Sequence, residues 1–322
     1  MSKRNRKWKE RTRPQQEEVS KAEMLQPLDL GFLDAAAVTT REWKMVQILV
    51  AGAGGTGAYM VQHIGRLMRV LYEQGKGVHL TVVDPDVVES KNIGRQLFCE
   101  AEVGQPKADA VARRYGHAWG LNVSSYVGEY DESLVLGSDL TVIVGCVDNA
   151  AARQALNETL KHNIEDEPKI WWLDCGNLKD TGRVLLGTAE ATEQLEGCFL
   201  DKTHCVRLPG PGMQSPGLLE AGPEEQAGNE MSCAEMAAAN LQSLCINARI
   251  AAEAADFLAR LLITHDLKRF AWEVNLAAGT AKSKYTTPAE VAHVVRQSVE
   301  FVSSEVRGRA VCATHAANEV WQ

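Results

Sequence analysis

Residues that could bind a nucleotide are spaced along three stretches of this sequence. The first is GAGGTG, from Gly52 to Gly57. The second, DPDVVESKNIGRQLFCEAEVGQPKAD, runs from Asp84 to Asp109, and the third, VGCVDNAAAR, ends at Arg153. Glycines let a backbone approach phosphate closely, and cationic side chains neutralise phosphate charge. Together the stretches predict a nucleoside triphosphate site and an ATP-using enzyme.

The glycine pattern alone leaves two nucleotide chemistries open. Gly52, Gly54 and Gly57 fit G-x-G-x-x-G, and Gly55 lies among them. The same loop occurs in enzymes that bind nicotinamide dinucleotides, where an acidic residue ending the next strand accepts hydrogen bonds from ribose hydroxyls. Asp84 has that position here. On these residues a dehydrogenase fits as well as an ATP-using enzyme.

The stretch after Asp84 favours the triphosphate. It contains Asn92, Arg95, Gln96 and Lys107, a set for which a dehydrogenase has no need. Arg95 offers a planar fork of donors for phosphate oxygens, and Lys107 offers a compact charge. Taken singly, each cation has an ordinary surface position as its alternative interpretation. As a set, the four side chains predict binding of the phosphates.

Asp148 follows the apolar run LTVIVGCVD, at the predicted carboxyl end of a strand. Ligands collect at that edge of an open α/β sheet, and a carboxylate there can hold Mg²⁺ bound to phosphates. The alternative is that Asp148 is the N-cap of the helix AAARQALNETLK. We expect Asp148 to be the magnesium ligand.

A parallel sheet would bring these side chains together. The β-branched apolar runs VQILVAG (46–52), HLTVVD (79–84) and LTVIVGCVD (140–148) predict buried parallel strands. Between the first two, AYMVQHIGRLMRVLYEQG has helical spacing, which completes a β-α-β unit. WWLDCGN and TGRVLLG predict two more strands joined by a turn. We therefore expect an α/β fold with a mostly parallel sheet and helices on both faces.

Composition divides the chain into four parts: a basic N-terminal arm (1–42), an ATP-binding core (43–187), a flexible crossover loop rich in Gly, Pro and Glu (188–232), and a C-terminal part (233–322) that completes the fold. The arm is interpreted either as a solvated tail or as the source of an arginine for the phosphates. The C-terminal part has alternation that predicts strands and then a closing helix.

The overall composition excludes several classes of protein. The 322 residues are 45% hydrophobic and 24% charged, with a formal net charge of -8, so neither general nucleic-acid binding nor disorder is indicated. The sequence has no apolar run of about 20 residues and no signal-peptide core. We expect a cytoplasmic protein that binds no membrane.

The eight cysteines are scattered, without the close pairs of a zinc ribbon, so we expect no structural zinc. Ser232, with Glu235 three residues on, forms a capping-box pattern that begins a long helical stretch. Cys233 would then occupy the first helical position, where the helix dipole favours the thiolate. We expect Cys233 to be a nucleophile, with an inert buried thiol as the alternative. We expect core packing for Cys99, Cys146, Cys175 and Cys245. The second choices for the nucleophile are Cys198 and Cys205, and Cys312 has no neighbouring motif.

GAGGTG, DPD, NIGRQ, VGQPKAD and CVDN resemble the adenylation domain shared by the ThiF, MoeB and ubiquitin-activating enzymes, over roughly residues 46–187. The resemblance implies a Rossmann-like ThiF/MoeB adenylation fold with a mobile crossover loop, and ATP and Mg²⁺ as ligands. It implies Asp84 on the ribose, with Asp86 of DPD beside it, and Asp148 on Mg²⁺. The residues it implies around the triphosphate are Asn92, Arg95, Gln96 and Lys107.

The reaction implied by the resemblance is attack of a carboxylate on the α-phosphate of ATP, giving an acyl-adenylate and pyrophosphate. The carboxylate is usually the C-terminal glycine of a ubiquitin-like protein. Some members pass the acyl group to an internal cysteine, which would be Cys233, and then to a conjugating-enzyme-like protein. Family members are usually dimers, so the resemblance implies a homodimer.

Two family features are missing: the paired CxxC motifs and the arginine motif ahead of the first strand. WWLDCGN, the long loop and SCAEM look most similar to bacterial ThiF-like proteins of ParB-related cassettes and ubiquitin-like operons, which implies a setting in antiphage defence. Two alternatives stay open. One is an adenylyltransferase without a covalent step, of the sulfur-carrier or tRNA-modification type, and the other is a non-catalytic partner subunit.

Overall fold

A computed structural model of the chain describes residues 31–93, 96–222 and 245–303. Arg95, the capping-box pattern at Ser232, Cys233 and Cys312 lie outside these ranges, as do residues 1–30 of the predicted arm. The described part has ten strands: β1 (Ala37–Val38), β2 (Met45–Ala51), β3 (Gly77–Val83), β4 (Val123–Tyr126), β5 (Leu140–Gly145), β6 (Ile170–Asn177), β7 (Thr181–Gly187), β8 (His204–Cys205), β9 (Arg269–Asn275) and β10 (Thr280–Tyr285).

The described helices are α1 (Gly31–Asp34), α2 (Gly55–Glu73), α3 (Lys107–Trp119), α4 (Ala150–Thr159), α5 (Pro211–Gln214), α6 (Ile246–Ala259), α7 (Pro288–Val295) and α8 (Val299–Ser303). A π-helical turn, Arg260–Thr264, continues α6. Short 3₁₀ turns lie at Ser90–Asn92, Glu100–Glu102, Glu132–Leu134, Leu160–His162, Thr192–Leu195 and Pro216–Leu219.

Eight strands form one sheet in the order β10-β9-β7-β6-β5-β2-β3-β4. The five strands from β6 to β4 are mutually parallel, and β7, β9 and β10 continue the sheet antiparallel. β2 sits at the centre of the parallel half, between β3 and β5. Since the chain leaves β2 toward β3 on one side and later adds β5 on the other, a crevice opens beyond their carboxyl ends. The predicted α/β fold with a mostly parallel sheet is confirmed.

Alternating residues of the central strands bury both faces of the sheet. Ile48 and Val50 face the larger core, which the apolar stripe of α2 and the buried residues of α6 complete. Leu49 and Ala51 face a second core that contains Leu156 of α4. A strand buried on both faces reads as a continuous apolar run, which is why VQILVAG was recognisable in the sequence.

The first part of the predicted crossover loop is packed against the core. Leu195, Phe199 and Leu208 are buried, and the Thr188 amide donates to the Leu208 carbonyl at 2.9 Å. Glycines permit this packing, because a Cβ on Gly187 would lie 2.1 Å from the Pro209 carbonyl oxygen. A composition that indicates flexibility therefore reflects close backbone packing across residues 188–222. Residues 223–232 lie outside the described ranges.

A two-stranded parallel sheet ties the start of the described chain to this segment. Ala37 pairs with His204, and Val38 pairs with Cys205. The Ala36 amide donates to the Thr286 carbonyl at 2.8 Å, and the Val38 amide donates to the Leu267 carbonyl at 2.7 Å. Three distant parts of the sequence therefore meet beside the main sheet.

Candidate functional site

The glycine loop connects β2 to α2 at the carboxyl edge of the sheet. Gly52 has φ +91°, and a Cβ there would lie 2.6 Å from the Cys146 carbonyl oxygen. A Cβ on Gly57 would lie 1.8 Å from the Gly52 carbonyl oxygen. These two positions need glycine so that the loop can turn and α2 can pack against it.

The other two glycines of the loop face side chains. A Cβ on Gly54 would lie 3.5 Å from Nε2 of Gln96, which is ordinary contact. A Cβ on Gly55 would lie 2.6 Å from Nδ2 of Asn247 on α6. The structure thus places Gln96 beside the glycine loop and adds a residue from far along the chain.

Asn247 belongs to a polar network that sequence reasoning missed. Its Oδ1 accepts hydrogen bonds from Thr56 Oγ1 at 2.9 Å and from Asn177 Nδ2 at 2.7 Å. Thr56 and Asn247 are both buried. The network joins the first turn of α2, the end of β6 and the start of α6, so it fixes the loop from three elements.

Asp84 follows β3 and is buried. Its Oδ2 accepts the Ala53 amide at 2.6 Å and its Oδ1 accepts the Asp86 amide at 2.8 Å. Burial raises the pKa of Asp84, and these two amides with Lys107 oppose that shift. The carboxylate fixes the shape of the glycine loop and keeps further lone pairs for a ribose hydroxyl.

Lys107 is the first residue of α3 and is buried, and its ammonium forms an ion pair with Asp86. Nζ lies 2.7 Å from Asp86 Oδ2, and the Lys107 amide donates to the Asp86 carbonyl at 2.9 Å. The Asp86 side chain is 65% exposed. An ammonium has three donors, so Lys107 can keep Asp86 and still bind an anion at this edge.

Asn92 and Gln96 line the segment between β3 and α3. Asn92 is buried, and its Oδ1 accepts the Glu89 amide at 2.9 Å, which holds a 3₁₀ turn. Gln96 Oε1 is buried and has no hydrogen-bond partner among the described residues. An unsatisfied amide oxygen beside the glycine loop fits a site whose ligand supplies a donor.

Arg114 fastens this segment to α3, and sequence reasoning did not single it out. Its Nη1 donates to the Leu97 carbonyl at 2.6 Å, and its guanidinium pairs with Glu102 through Nε at 3.0 Å and through Nη2. Burial opposes ionisation of Glu102, but hydrogen bonds from Arg114 and the Cys99 amide outweigh it and lower the pKa of Glu102. The pair keeps the segment that contains Gln96 in place.

Asp148 lies beyond the carboxyl end of β5 and is exposed. The proposed N-cap role is wrong, because Asn149 is the N-cap of α4 and its side chain accepts the Ala152 amide at 2.8 Å. The Asp148 carboxylate therefore has no structural task in α4. In the described ranges no three His, Cys, Asp or Glu residues group as a metal site, so any Mg²⁺ here would take Asp148 together with phosphate oxygens.

A buried charge cluster lies next to Asp148. Asp174 on β6 is fully buried, and its Oδ1 accepts Arg153 Nε at 3.2 Å. Nη2 of Arg153 donates to the Val147 carbonyl at 2.6 Å. Burial raises the pKa of Asp174, and Arg153 and Arg183 oppose that shift. In the sequence Asp174 was hidden inside the apolar strand WWLDCGN.

The described cysteines divide into two groups. Cys175, Cys198 and Cys205 are buried and Cys146 is half-buried. Cys99 and Cys245 are exposed, so the expectation of core packing is wrong for both. Cys245 is the N-cap position of α6 rather than a residue of its interior. Burial raises the pKa of Cys205, as does the hydrogen bond that its thiol donates to Cys198. Cys198 is buried as well, so neither second-choice thiol is exposed for nucleophilic attack.

The residues at this edge can hold a nucleotide and leave one carboxylate free for a metal. The glycine loop offers backbone close to a phosphate, Asp84 and Asn92 are buried on the β3 side, and Lys107 supplies a cation. Asp148 lies on the β5 side. Of the residues predicted for the phosphates, Asn92 and Gln96 lie together, since the Gln96 amide donates to the Asn92 carbonyl at 2.9 Å. Lys107 pairs with Asp86, which follows the same strand, and Arg95 lies outside the described residues.

Within the described ranges, none of the helices has the length and apolar character needed to cross a membrane.

The sequence profile of the ThiF family matches residues 29–199. The SAMP-activating enzyme E1 of Haloferax volcanii is 36% identical over 124 residues, covering 36% of this chain and 41% of that protein. The NEDD8-activating enzyme E1 catalytic subunit of Arabidopsis thaliana is 30% identical over 149 residues, covering 44% of this chain and 31% of that protein. The adenylyltransferase and sulfurtransferase UBA4 of Yarrowia lipolytica is 31% identical over 119 residues, covering 35% and 27%.

The chain therefore spans well under half the length of each of these three relatives. Among solved structures, PaaA aligns with a TM-score of 0.49 at 15% identity, covering 76% of this chain and 65% of that chain. Escherichia coli MccB with ATP aligns with a TM-score of 0.49 at 16% identity, covering 74% and 63%.

Proposed function

Because this chain belongs to the ThiF family, we propose that it is an ATP-dependent adenylyltransferase that activates a carboxylate. The observation that carries the proposal is the position of Lys107. Its buried ammonium lies with Asp84, Asn92 and Gln96 at the same sheet edge as the glycine loop.

In the proposed reaction a carboxylate oxygen forms a bond to the α-phosphorus of ATP. The bond from that phosphorus to the bridging oxygen breaks, and pyrophosphate leaves with the bonding electrons. The products are an acyl-adenylate and pyrophosphate. The carboxylate is already ionised at neutral pH, so the chain's residues have no proton to remove. Positioning and charge stabilisation are then the main tasks of the protein.

Each described residue has a task that follows from its position, and Arg95 is given the role that the family resemblance implies. The glycine loop receives phosphate oxygens against its backbone, and Asp84 binds ribose while it holds the loop. Lys107 stabilises the charge that develops on the leaving pyrophosphate, and Asn92, Gln96 and Arg95 orient the phosphates. Asp148 would hold Mg²⁺, which neutralises phosphate charge when bound. Lys107 keeps its orientation through Asp86.

We further propose that the substrate is a ubiquitin-like protein ending in glycine. Relatives named as SAMP-activating and NEDD8-activating enzymes support this class of substrate. The acyl group then moves to Cys233 as a thioester, with release of AMP, and onward to a conjugating-enzyme-like protein. We place this activity in a cytoplasmic homodimer that serves antiphage defence. One relative is named an adenylyltransferase and sulfurtransferase, which supports a second candidate, adenylation without the thioester.

ATP-pyrophosphate exchange tests the proposal, using ubiquitin-like proteins that end in glycine. We expect exchange that depends on such a protein and is lost in Lys107→Ala. The matched control is Lys91→Ala, which removes a lysine 67% exposed in the same segment. Absence of exchange with every candidate carboxylate would contradict the adenylation reaction.

A non-reducing gel then separates the two candidates. Under the thioester mechanism, Cys233→Ala keeps exchange and loses a thiol-labile adduct, whereas Cys99→Ala, which removes an exposed thiol, keeps both. Exchange with no adduct in the wild type would support adenylation alone. Light scattering tests the homodimer, and the mass of a single chain would contradict it.

A further inference from the structure

The attacking carboxylate must reach the α-phosphate of the bound nucleotide from a side that the rest of the nucleotide does not occupy. Asp84 follows β3 and the glycine loop follows β2, so the nucleotide lies over the β2 and β3 side of the crevice. Asn92, Gln96 and Lys107 all follow β3 in the chain and lie on that side as well. The other side is formed by the ends of β5 and β6 and by β7. The ends of β5, β6 and β7 are therefore the side left open for the attacking carboxylate.

Two arginines lie on that second side. A Cβ on Gly176, near the end of β6, would lie 3.5 Å from Arg183 Nε and 3.7 Å from Arg153 Nη2. The same point would lie 3.3 Å from Asp174 Oδ2. Because position 176 is a glycine, the two guanidinium groups and the buried carboxylate converge beside backbone that carries no side chain.

Arg153 is committed to structural contacts. It binds the buried carboxylate of Asp174 through Nε and the Val147 carbonyl through Nη2, and its side chain is 13% exposed. Val147 immediately precedes Asp148, so this contact also fixes the backbone from which Asp148 extends. Asp174 thus holds Arg153, and Arg153 in turn holds the backbone after β5 in place.

Arg183 shares the single buried carboxylate of Asp174 with Arg153. Nη1 of Arg183 donates to Ser215 Oγ at 3.0 Å, and Ser215 is a neutral partner on the crossover loop. Arg183 faces Glu273 across the β7 and β9 pair, but Glu273 is exposed and its effect is screened by water. The cluster of two guanidinium groups and one carboxylate therefore carries a net charge of about +1 by formal counting, as arginine stays charged in proteins.

We propose that Arg183 binds the attacking carboxylate of the substrate, and that Asp174 and Arg153 position it. A guanidinium matches a carboxylate with two parallel N–H donors and rejects a neutral amide at the same place. The inference deepens the adenylation reaction proposed above and rests on it. Arg183 also lies partly buried, where desolvation lowers its pKa, so a bound anion would stabilise the charged form.

Exchange kinetics with a ubiquitin-like protein that ends in glycine test the assignment. We expect Arg183→Gln to lower kcat/KM for that protein by roughly 10- to 100-fold, mainly through KM, as for loss of a charged hydrogen bond. The affinity for α,β-methylene-ATP, measured by calorimetry without the protein substrate, is expected to stay within about twofold because Arg183 is on the far side from the nucleotide. Arg183→Lys is expected to restore part of kcat/KM.

Lys282→Ala is the matched control. Lys282 on β10 lies opposite Glu273 in the strand register, and Glu273 lies opposite Arg183. The substitution therefore removes an exposed cation on the same sheet face, two strands from Arg183. We expect wild-type kinetics. Asp174→Asn tests positioning, and if it folds it should raise KM for the protein substrate while the nucleotide affinity stays unchanged. The Arg183 variants decide the assignment even if Asp174→Asn fails to fold.

The outcomes separate the two proposals. Exchange by the wild type with an unchanged KM in Arg183→Gln overturns the role of Arg183 and leaves adenylation standing. An equal loss of nucleotide affinity in that variant also overturns it, because Arg183 would then serve ATP. No exchange by the wild type with any carboxylate overturns the adenylation reaction itself, and the role of Arg183 falls with it.

Discussion

Lys107 and Asp86 are joined twice, by an ion pair of 2.7 Å between Nζ and Oδ2 and by a backbone hydrogen bond of 2.9 Å. The first residue of α3 is therefore fixed to the segment that follows β3. The ammonium is held at the nucleotide side of the crevice before any ligand arrives. Such preorganisation lets the cation act on developing charge without rearrangement.

Loss of this cation should slow adenylation with little effect on the fold. Lys107→Ala is expected to reduce kcat for exchange by about 10²- to 10³-fold, the usual effect of removing one electrostatic contact to a transition state. Asp86→Ala should reduce kcat by a smaller factor, because Lys107 remains. Thermal denaturation checks that both variants fold, and an unchanged kcat in Lys107→Ala would exclude its role.

Two adjacent residues after β5 should behave in opposite ways. Asp148→Asn is expected to reduce the exchange rate by at least about 10²-fold. The free energy of unfolding should stay the same, because the carboxylate is exposed. Asn149→Ala removes the N-cap of α4 and is expected to lower the free energy of unfolding by about 1 kcal/mol. Exchange assays and urea denaturation of both variants check the pair. A full rate in Asp148→Asn would rule out the magnesium role.

Two glycines of the loop should differ in their tolerance of alanine. In Gly57→Ala the new Cβ meets the Gly52 carbonyl oxygen at 1.8 Å, so the loop or α2 must move, and we expect a loss of more than about 2 kcal/mol of stability. In Gly54→Ala the nearest atom is at 3.5 Å, and the fold should tolerate it. Chemical denaturation compares the two. Equal stability would mean that the loop is looser than its geometry indicates.

The Glu102 and Arg114 pair predicts a dependence of stability on pH. The folded pKa of Glu102 lies below its usual value of 4.5. The ionised carboxylate therefore stabilises the fold above the unfolded pKa, and its contribution is lost as pH falls through the folded pKa. Glu102→Gln should lower the free energy of unfolding by about 1–2 kcal/mol at pH 7, with a smaller difference below about pH 4.5.

Urea denaturation at several pH values measures that difference. The control is Glu100→Gln, which changes an exposed carboxylate in the same 3₁₀ turn. Its stability should match the wild type at every pH tested. A difference for Glu102→Gln that stays constant down to pH 3 would contradict the assigned shift.

The sequence was informative wherever one local pattern decides the structure. The runs at 46–52 and 79–84 became β2 and β3 to within two residues, because a strand buried on both faces must be apolar throughout. WWLDCGN and TGRVLLG became β6 and β7, because each contains a short apolar run and a turn separates them. The glycines of GAGGTG fall where steric contacts require them, at Gly52 and Gly57.

Contacts between distant parts of the chain could not be predicted in this way. Thr56 meets Asn247 across 191 residues, and neither lies in a pattern that points to the other. Asp174 is a charged residue inside an apolar strand, and its partner Arg153 is 21 residues away on a helix. The cap of α4 was a choice between neighbours, since Asp148 and Asn149 are both good N-cap residues and packing decides between them.

The hydrogen bonds that join the β1 segment to Leu267 and Thr286 affect how the chain folds during its synthesis. Ala36 and Val38 form hydrogen bonds to Thr286 and Leu267, so these partners leave the ribosome roughly 230 to 250 residues later. At typical elongation rates of about 5–20 residues per second, this closure waits for roughly 10 to 50 s. The N-terminal part of the sheet therefore has to persist with one flank open until these partners emerge.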